Sequence, residues 1–200
     1  MTHTFANIAA LSILAAIAAG CSTQPSHFYT LNPAAKASAA PAGTSPNLAV
    51  VVGPVSIPAV VDLPQMVVSS GSNQVTIDEY NRWASPLQNN ISSVVAENLV
   101  VILGTPRVSL FQQSLNADAD YRVAIEVQRF ESAPGDAATL NAIWIVRRTK
   151  DGKAVTGRTT VRQAVEDKSY GALAAAHSQA LSRMSEDIAE VIRAQDRAAP

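Results

Sequence analysis

The sequence predicts an α/β fold, a single-domain sandwich with a mixed, largely antiparallel β-sheet and two long helices. Two observations point to this class. Six or seven short segments between residues 48 and 165 are apolar throughout or alternate apolar with polar residues, and turn residues bound them, which is typical of strands. Two longer segments, around residues 87–102 and 173–192, repeat apolar residues at helical spacing. Elements of both kinds in one chain favour a layered α/β domain.

The first strands are marked by apolar and β-branched runs. Residues 48–52 form a continuous apolar run, so we expect a strand that is buried on both faces. Residues 65–69 and 74–78 flank a Ser-Gly-Ser-Asn tetrapeptide, which predicts a hairpin. Residues 107–111 predict another short strand, which would follow the first helix and complete a strand–helix–strand unit.

The later strands follow one another closely along the chain. Residues 121–128 alternate apolar and polar side chains, as a strand with one face on the core does. Residues 140–148 predict the next strand. Asp151 and Gly152 are typical of a two-residue hairpin turn, which leads into a strand over residues 155–165.

The two helices carry recognisable start and stop residues. Ser85 is the predicted N-cap of the first helix, with Pro86 at its first position, and Gln88 would complete a capping box. Gly104 and Pro106 should end this helix. Its apolar stripe consists of Leu87, Ile91, Val94, Val95, Leu99 and Ile102. The stripe of the closing helix consists of Leu173, His177, Ala180, Leu181, Met184, Ile188, Val191 and Ile192.

The N-terminus predicts a lipoprotein signal peptide over residues 1–20. Residues 8–19 are almost wholly apolar, a length that fits the apolar region of an export signal and is short for a membrane span. The tetrapeptide Ala18-Ala19-Gly20-Cys21 resembles the lipobox, in which the cysteine is acylated and becomes the new N-terminus. The alternative is an ordinary secreted protein cut near Gly20, with Cys21 as an incidental thiol. Ser22 is not aspartate, so the bacterial sorting rule directs a lipoprotein to the periplasmic face of the outer membrane.

Residues 21–46, which start at the lipidated cysteine, are expected to form a tether before a domain over residues 47–197. The tether is rich in Ala, Pro, Ser and Thr, with Lys36 as its only formal charge, and such a composition cannot bury a core. Residues 27–31 are an exception because they include three large apolar residues. They are either a chance cluster or a short strand that docks near the domain.

Composition and motifs argue against several function classes. The net charge is −1 and the 15 basic residues are scattered, whereas nucleic-acid binding needs a concentrated positive face. One cysteine excludes a disulfide framework and a multi-cysteine metal site. Of the three histidines only His177 belongs to the domain, and no hydrolase, zinc or phosphate-loop motif is present. Two acidic pairs, Asp78-Glu79 and Glu186-Asp187, are expected on solvated faces. The sequence therefore predicts a non-catalytic module without a cofactor or metal.

Several segments together resemble a known family. They are residues 28–31, 53–58, 64–67, 80–87, 96–99 and 120–130, and Trp144 before a hairpin. In this order they resemble the ABC-type transport auxiliary lipoproteins, and residues 83–87 (Trp-Ala-Ser-Pro-Leu) are the most specific element. Residues 59–63 depart from the family's pattern, which often has an aromatic residue and an arginine there.

The resemblance implies a non-catalytic auxiliary subunit of an envelope lipid transport system, docked at the outer membrane. Its partners would be a periplasm-spanning MCE-domain protein and an inner-membrane permease, with or without an ATPase, and a homo-oligomer is compatible with it. The alternatives are a periplasmic lipid carrier, which would need a large apolar cavity, and an envelope hydrolase.

Arg82 and Trp83 are the candidate partner-binding residues. A tryptophan just before a helix can plug the edge of a sheet. It can also anchor a partner, because Trp and Arg are enriched in interface hot spots. Both roles for Trp83 stay open at the level of sequence.

Overall fold

The computed structural model describes residues 24–36, 47–111 and 118–198. Residues 1–20 and Cys21 therefore lie outside the described residues. The strands are β1 (His27–Tyr29), β2 (Val50–Ser56), β3 (Gln65–Gly71), β4 (Gln74–Trp83), β5 (Val108–Leu110), β6 (Tyr121–Ala133), β7 (Ala137–Arg148) and β8 (Ala154–Ala164). The helices are α1 (Leu87–Leu103) and α2 (Tyr170–Arg197), and a 3₁₀ turn covers Ala59–Val61. The predicted fold class is confirmed.

A five-stranded sheet in the order β5-β2-β6-β7-β8 forms the body of the molecule. Strand β2 runs parallel to β5 and β6, and β6, β7 and β8 are antiparallel. Both helices pack on one face of this sheet. Apolar residues alternate along β6 in the way that the sequence predicts, so that Tyr121, Val123, Ile125 and Val127 are buried under the helices.

A smaller, three-stranded sheet in the order β1-β4-β3 stands beside the first. The predicted hairpin is β3 and β4, and β1 adds to β4 in parallel, with Phe28 opposite Arg82. The prediction placed all strands in one sheet, whereas the structure has two. The second sheet depends on pairing between strands more than fifty residues apart, which local sequence patterns do not encode.

Residues 27–36, which we call the strap, pack against the domain. Leu31 is only 3% exposed. The amides of Ala34 and Ala35 donate to Oδ1 of Asn98 on α1 at 3.1 and 3.0 Å, and the amide of Asn32 donates to Oγ of Ser178 on α2 at 3.1 Å. The prediction of a docking strand in this segment is confirmed, and the strap extends beyond it.

Two local predictions are wrong. Helix α1 has Pro86 and not Ser85 at its N-cap position, and the proline side chain has no acceptor that could cap the helix. Gln88 donates to the carbonyl of Val55 on β2. There is thus no capping box at Ser85. The turn at Asp151 and Gly152 is a longer loop, over residues 149–153, between the paired strands β7 and β8. The predicted end of α1 is confirmed, since Gly104 is left-handed with a φ of 69°.

Candidate functional site

The buried histidine belongs to an aromatic cluster. The ring of His177 stacks on Phe130 with centroids 3.7 Å apart, and Trp83 meets Phe130 edge-on at 6.2 Å. His177 Nε2 lies 2.9 Å from Oγ of Ser132. Burial lowers the pKa of His177 to about 3, so the ring is neutral at physiological pH. Among the described residues no group of three or more His, Cys, Asp or Glu side chains could hold a metal ion.

Within each acidic pair one residue is exposed and the other is half-buried. Glu79 and Glu186 are exposed as predicted, whereas Asp78 and Asp187 are half-buried. Asp78 accepts a hydrogen bond from the Tyr170 hydroxyl at 2.7 Å. Burial alone would raise the pKa of Asp78, but this bond and those from the backbone outweigh it and lower the pKa. Asp187 accepts a hydrogen bond from the Thr159 hydroxyl of β8 at 2.6 Å. The prediction of solvated faces is thus wrong for Asp78 and Asp187, which tie elements of the fold together.

The structure separates the two candidate partner-binding residues. Trp83 is 6% exposed and packs in the core, so the structure places it as a plug between the two sheets. Arg82 precedes it on β4, and successive side chains of a strand point to opposite faces. Arg82 is half-buried at the register position of Phe28. Contact of Arg82 or Trp83 with a partner stays a prediction.

The outward face of the three-stranded sheet carries exposed apolar side chains. Val67 pairs with Ile77 and Ser69 with Val75, so these four residues share one face. Val75 and Ile77 are about half exposed, and Val60 of the 3₁₀ turn is equally exposed nearby. The surface hollow beside them has a volume of about 120 Å³. It is lined by Pro58, Val60, Val61, Val67, Ser69, Val75 and the β6 residues 128–132.

This apolar hollow is the strongest candidate for a protein-binding surface in the part of the chain described. Its floor includes Phe130 and Ser132, so the aromatic cluster lies directly behind it. Residues 59–61, which form its 3₁₀ wall, belong to the stretch that departs from the family pattern. Sequence reasoning missed Val60, Val75 and Ile77, because an apolar residue on a strand does not itself reveal whether a second sheet covers it.

A second depression, of about 530 Å³, lies where β2 meets the start of α1 and the end of β5. Its lining mixes apolar residues such as Val52 and Leu110 with the polar side chains of Gln88, Asn89 and Ser92. Ligand sites of small molecules fall in this range of volume.

In residues 24–36, 47–111 and 118–198 no helix is long and apolar enough to cross a membrane.

Comparison with known proteins identifies the family. The sequence profile of the ABC-type transport auxiliary lipoprotein component matches residues 29–189. The chain belongs to this family. Its match begins inside the strap, which the structure places on the domain. The comparison with curated proteins found no significant match.

Solved structures share the fold. An uncharacterised protein is 20% identical with a TM-score of 0.69, over 84% of this chain and 99% of that one. The Xanthomonas campestris protein XCC0632, a DUF330 protein, is 20% identical with a TM-score of 0.70, over 86% of this chain and 99% of that one. At this identity the likeness shows a common fold and nothing about activity.

Proposed function

We propose that this protein is a non-catalytic, lipid-anchored auxiliary subunit of an ABC/MCE-type envelope lipid transport system. In this role it docks the periplasm-spanning MCE-domain protein at the outer membrane, opposite the inner-membrane permease and ATPase of the same system. The observation that carries the proposal is the family match over residues 29–189. The neutral, fully buried state of His177 supports a non-catalytic role, because this histidine has no access to a substrate.

Acylation of Cys21 supplies the anchor in this proposal. Two or three acyl chains, at about 0.8 kcal/mol for each buried CH₂, hold a protein on a bilayer permanently. We expect Cys21→Ser to leave a protein that no longer partitions with the outer membrane. Flotation of that variant with outer-membrane vesicles after a carbonate wash would contradict the anchoring step.

The apolar hollow is the surface that we assign to the MCE-domain partner. Contiguous exposed apolar residues mark interaction sites, and Val75 stands at its rim. A Val75→Asp substitution should abolish co-purification of the MCE-domain protein, detected by mass spectrometry of the native complex, while leaving the melting temperature unchanged. Ile145→Asp is the matched control, because Ile145 is an exposed apolar strand residue of the five-stranded sheet. Equal capture by both variants would move the docking surface elsewhere.

A lipid carrier is the second candidate function. The depression between β2 and α1 has the volume that such a role requires. Three polar side chains in its wall make it less suited to an acyl chain than an apolar cavity would be. Mass spectrometry of lipid extracted from the purified protein, after washing away lipid bound to its surface, separates the two functions. A carrier should hold lipid in stoichiometric amount, whereas the adaptor carries none beyond its own anchor.

A further inference from the structure

The strap leaves little chain between Cys21 and the folded domain. Strand β1 begins at His27, six residues after Cys21. An extended chain spans at most about 3.5 Å per residue, so Cys21 lies within ~21 Å of His27. A tether that ran to residue 47 would allow about 90 Å by the same arithmetic. The side of the domain that bears β1 is therefore held close to whatever Cys21 is attached to.

The strap is fixed by contacts that would have to break together. The Tyr29 hydroxyl donates to Oδ1 of Asn81 at 2.9 Å, and the amide of Ala84 donates to the carbonyl of Tyr29 at 2.8 Å. Detachment would also expose Leu31 and leave the buried side-chain carbonyl of Asn98 without the two amides that it accepts from. Because such groups are costly to leave unpaired, β1 and its neighbour β4 move as part of the domain.

The outward side of β1 and β4 carries residue types typical of a membrane interface. Phe28 is 65% exposed and Tyr80 40% exposed, and Arg82 stands at the register position of Phe28. Aromatic side chains of this kind insert at the boundary between headgroups and acyl chains, and a guanidinium pairs with phosphate oxygens. Two residues of β4 carry the opposing charge, and both are bonded within the domain: Glu79 accepts a hydrogen bond from Gln65, and Asp78 accepts one from Tyr170.

We propose that this corner of the domain, made by Phe28, Tyr80 and Arg82, rests on the lipid surface to which Cys21 is anchored. The inference rests on the acylation of Cys21 in the proposed function. Anchor and corner together then fix the orientation of the domain. Arg82 pairs with Gln65 at one end of β3 and Gln74 pairs with Gly71 at the other, so the β3–β4 turn lies six residues or ~20 Å of strand from Arg82. Val75, which lies at the rim of the apolar hollow and next to that turn, is thereby held away from the bilayer and open to a protein partner.

Tryptophan fluorescence in vesicles tests the contact. The full lipidated chain carrying Phe28→Trp is reconstituted into phosphatidylethanolamine and phosphatidylglycerol vesicles whose acyl chains carry bromine as a quencher. The matched control is Ile145→Trp, an exposed position on the face of the five-stranded sheet away from the helices. The native Trp83 and Trp144 are buried in both proteins. We expect a blue shift and on the order of twofold stronger quenching at position 28, because an interfacial side chain lies about 5–10 Å into the bilayer.

The outcomes separate the corner from the anchor. Vesicle flotation reports the anchor, so a protein that does not float overturns both proposals. A protein that floats with equal quenching at positions 28 and 145 overturns the corner and leaves the anchor intact. A third outcome is that the tryptophan at position 28 is not quenched in vesicles, but its emission shifts when the MCE-domain protein is added. This result would assign the corner to a protein partner and would also overturn the proposal. Tyr80→Trp is the second reporter and should be quenched like Phe28→Trp.

Discussion

The two sheets of this molecule present different outward faces. The five-stranded sheet covers one face with helices and shows mainly polar or charged side chains on the other, such as Glu126, Arg147 and Arg158, together with the exposed apolar Ile145. The three-stranded sheet packs Met66 and Val68 inward but exposes Phe28, Val75 and Ile77. A sheet with one polar face is complete by itself, whereas exposed apolar groups mark contacts that are still to be made. The large sheet therefore holds the fold, and the small sheet is the one that we propose to contact other molecules.

The largest expected effect comes from the residue that joins the sheets. Trp83 ends β4 and packs on Phe130 of β6. Truncation to alanine in Trp83→Ala should lower the free energy of unfolding by about 3–5 kcal/mol, as loss of a buried aromatic side chain does. Denaturant unfolding of the purified protein measures it. Ser85→Ala should change stability by less than about 0.5 kcal/mol, because Ser85 is exposed and caps no helix. Wild-type stability of Trp83→Ala would make Trp83 an interface residue instead.

Within the large sheet, a substitution of Gly157 on β8 tests how tightly the core is packed. A Cβ atom at this position would lie 2.2 Å from the ring of Trp144, whose Nε1 donates to Thr159 at 3.0 Å. Gly157→Ala should therefore destabilise the protein by about 1–3 kcal/mol through overpacking. Gly171→Ala in the first turn of α2 is the control, since an added Cβ there would have no atom within 4 Å, and alanine is the better helix former. Equal melting temperatures for the two variants would contradict a tightly packed Trp144.

The same contrast explains how much the sequence could predict. The elements of the large sheet and the helices have strong local signals, such as the alternation along β6 and the stripe along α2, and these predictions are confirmed. The small sheet needs β1 to pair in parallel with β4 across more than fifty residues. Its hairpin was predictable, but the exposure of Val75 and Ile77 was not, because exposure depends on which sheet the hairpin joins.

The capping box shows a limit of another kind. Ser85, Pro86 and Gln88 satisfy the local rule for a helix start, yet Gln88 donates to a carbonyl of β2 in the structure. A tertiary hydrogen bond therefore replaces the local one. Arg82 and Trp83 are similar in that the sequence singled them out together, whereas the strand sends one side chain outward and the other into the core.

The histidine behind the hollow should make stability depend on pH. Burial holds the pKa of His177 at about 3 in the folded state, against an ordinary value near 6.5 in the unfolded chain. Between these values the unfolded chain binds more protons, so stability falls as the pH falls. From pH 8 to pH 5 we expect a loss of about 2 kcal/mol from this group. Carboxylates with lowered pKa values, such as Asp78, add losses only at lower pH.

Urea unfolding at a series of pH values checks this dependence. In His177→Phe the titrating group is gone and the ring can still stack on Phe130, so the slope between pH 5 and pH 7 should flatten. The substitution also leaves Ser132 without its partner, which lowers stability by a similar amount at every pH. A parallel offset with an unchanged slope would show that His177 is not the group responsible.

The smallest expected effect tests how the small sheet is tied to α2. The Tyr170 hydroxyl donates to Oδ2 of Asp78 on β4 at 2.7 Å, and burial together with this bond raises the pKa of Tyr170. Tyr170→Phe should lower the free energy of unfolding by about 1 kcal/mol at pH 7, since both groups are only partly buried. Tyr80→Phe, at an exposed tyrosine of the same strand, should change it by less than about 0.5 kcal/mol.

A double-mutant cycle with Asp78→Asn separates this bond from general packing. The coupling between Tyr170→Phe and Asp78→Asn should be about 1 kcal/mol at pH 7. The bond helps to lower the pKa of Asp78 in the folded protein. Its contribution to stability is therefore fully present above the ordinary aspartate pKa of about 3.9, and it is lost as the pH falls through the lower pKa of the folded state. The effect of Tyr170→Phe should accordingly shrink in acid. Met66, Val68 and Trp83 already pack the small sheet against the rest of the domain. An effect of Tyr170→Phe that stayed constant in acid would therefore point to packing of the Tyr170 ring and not to its bond with Asp78.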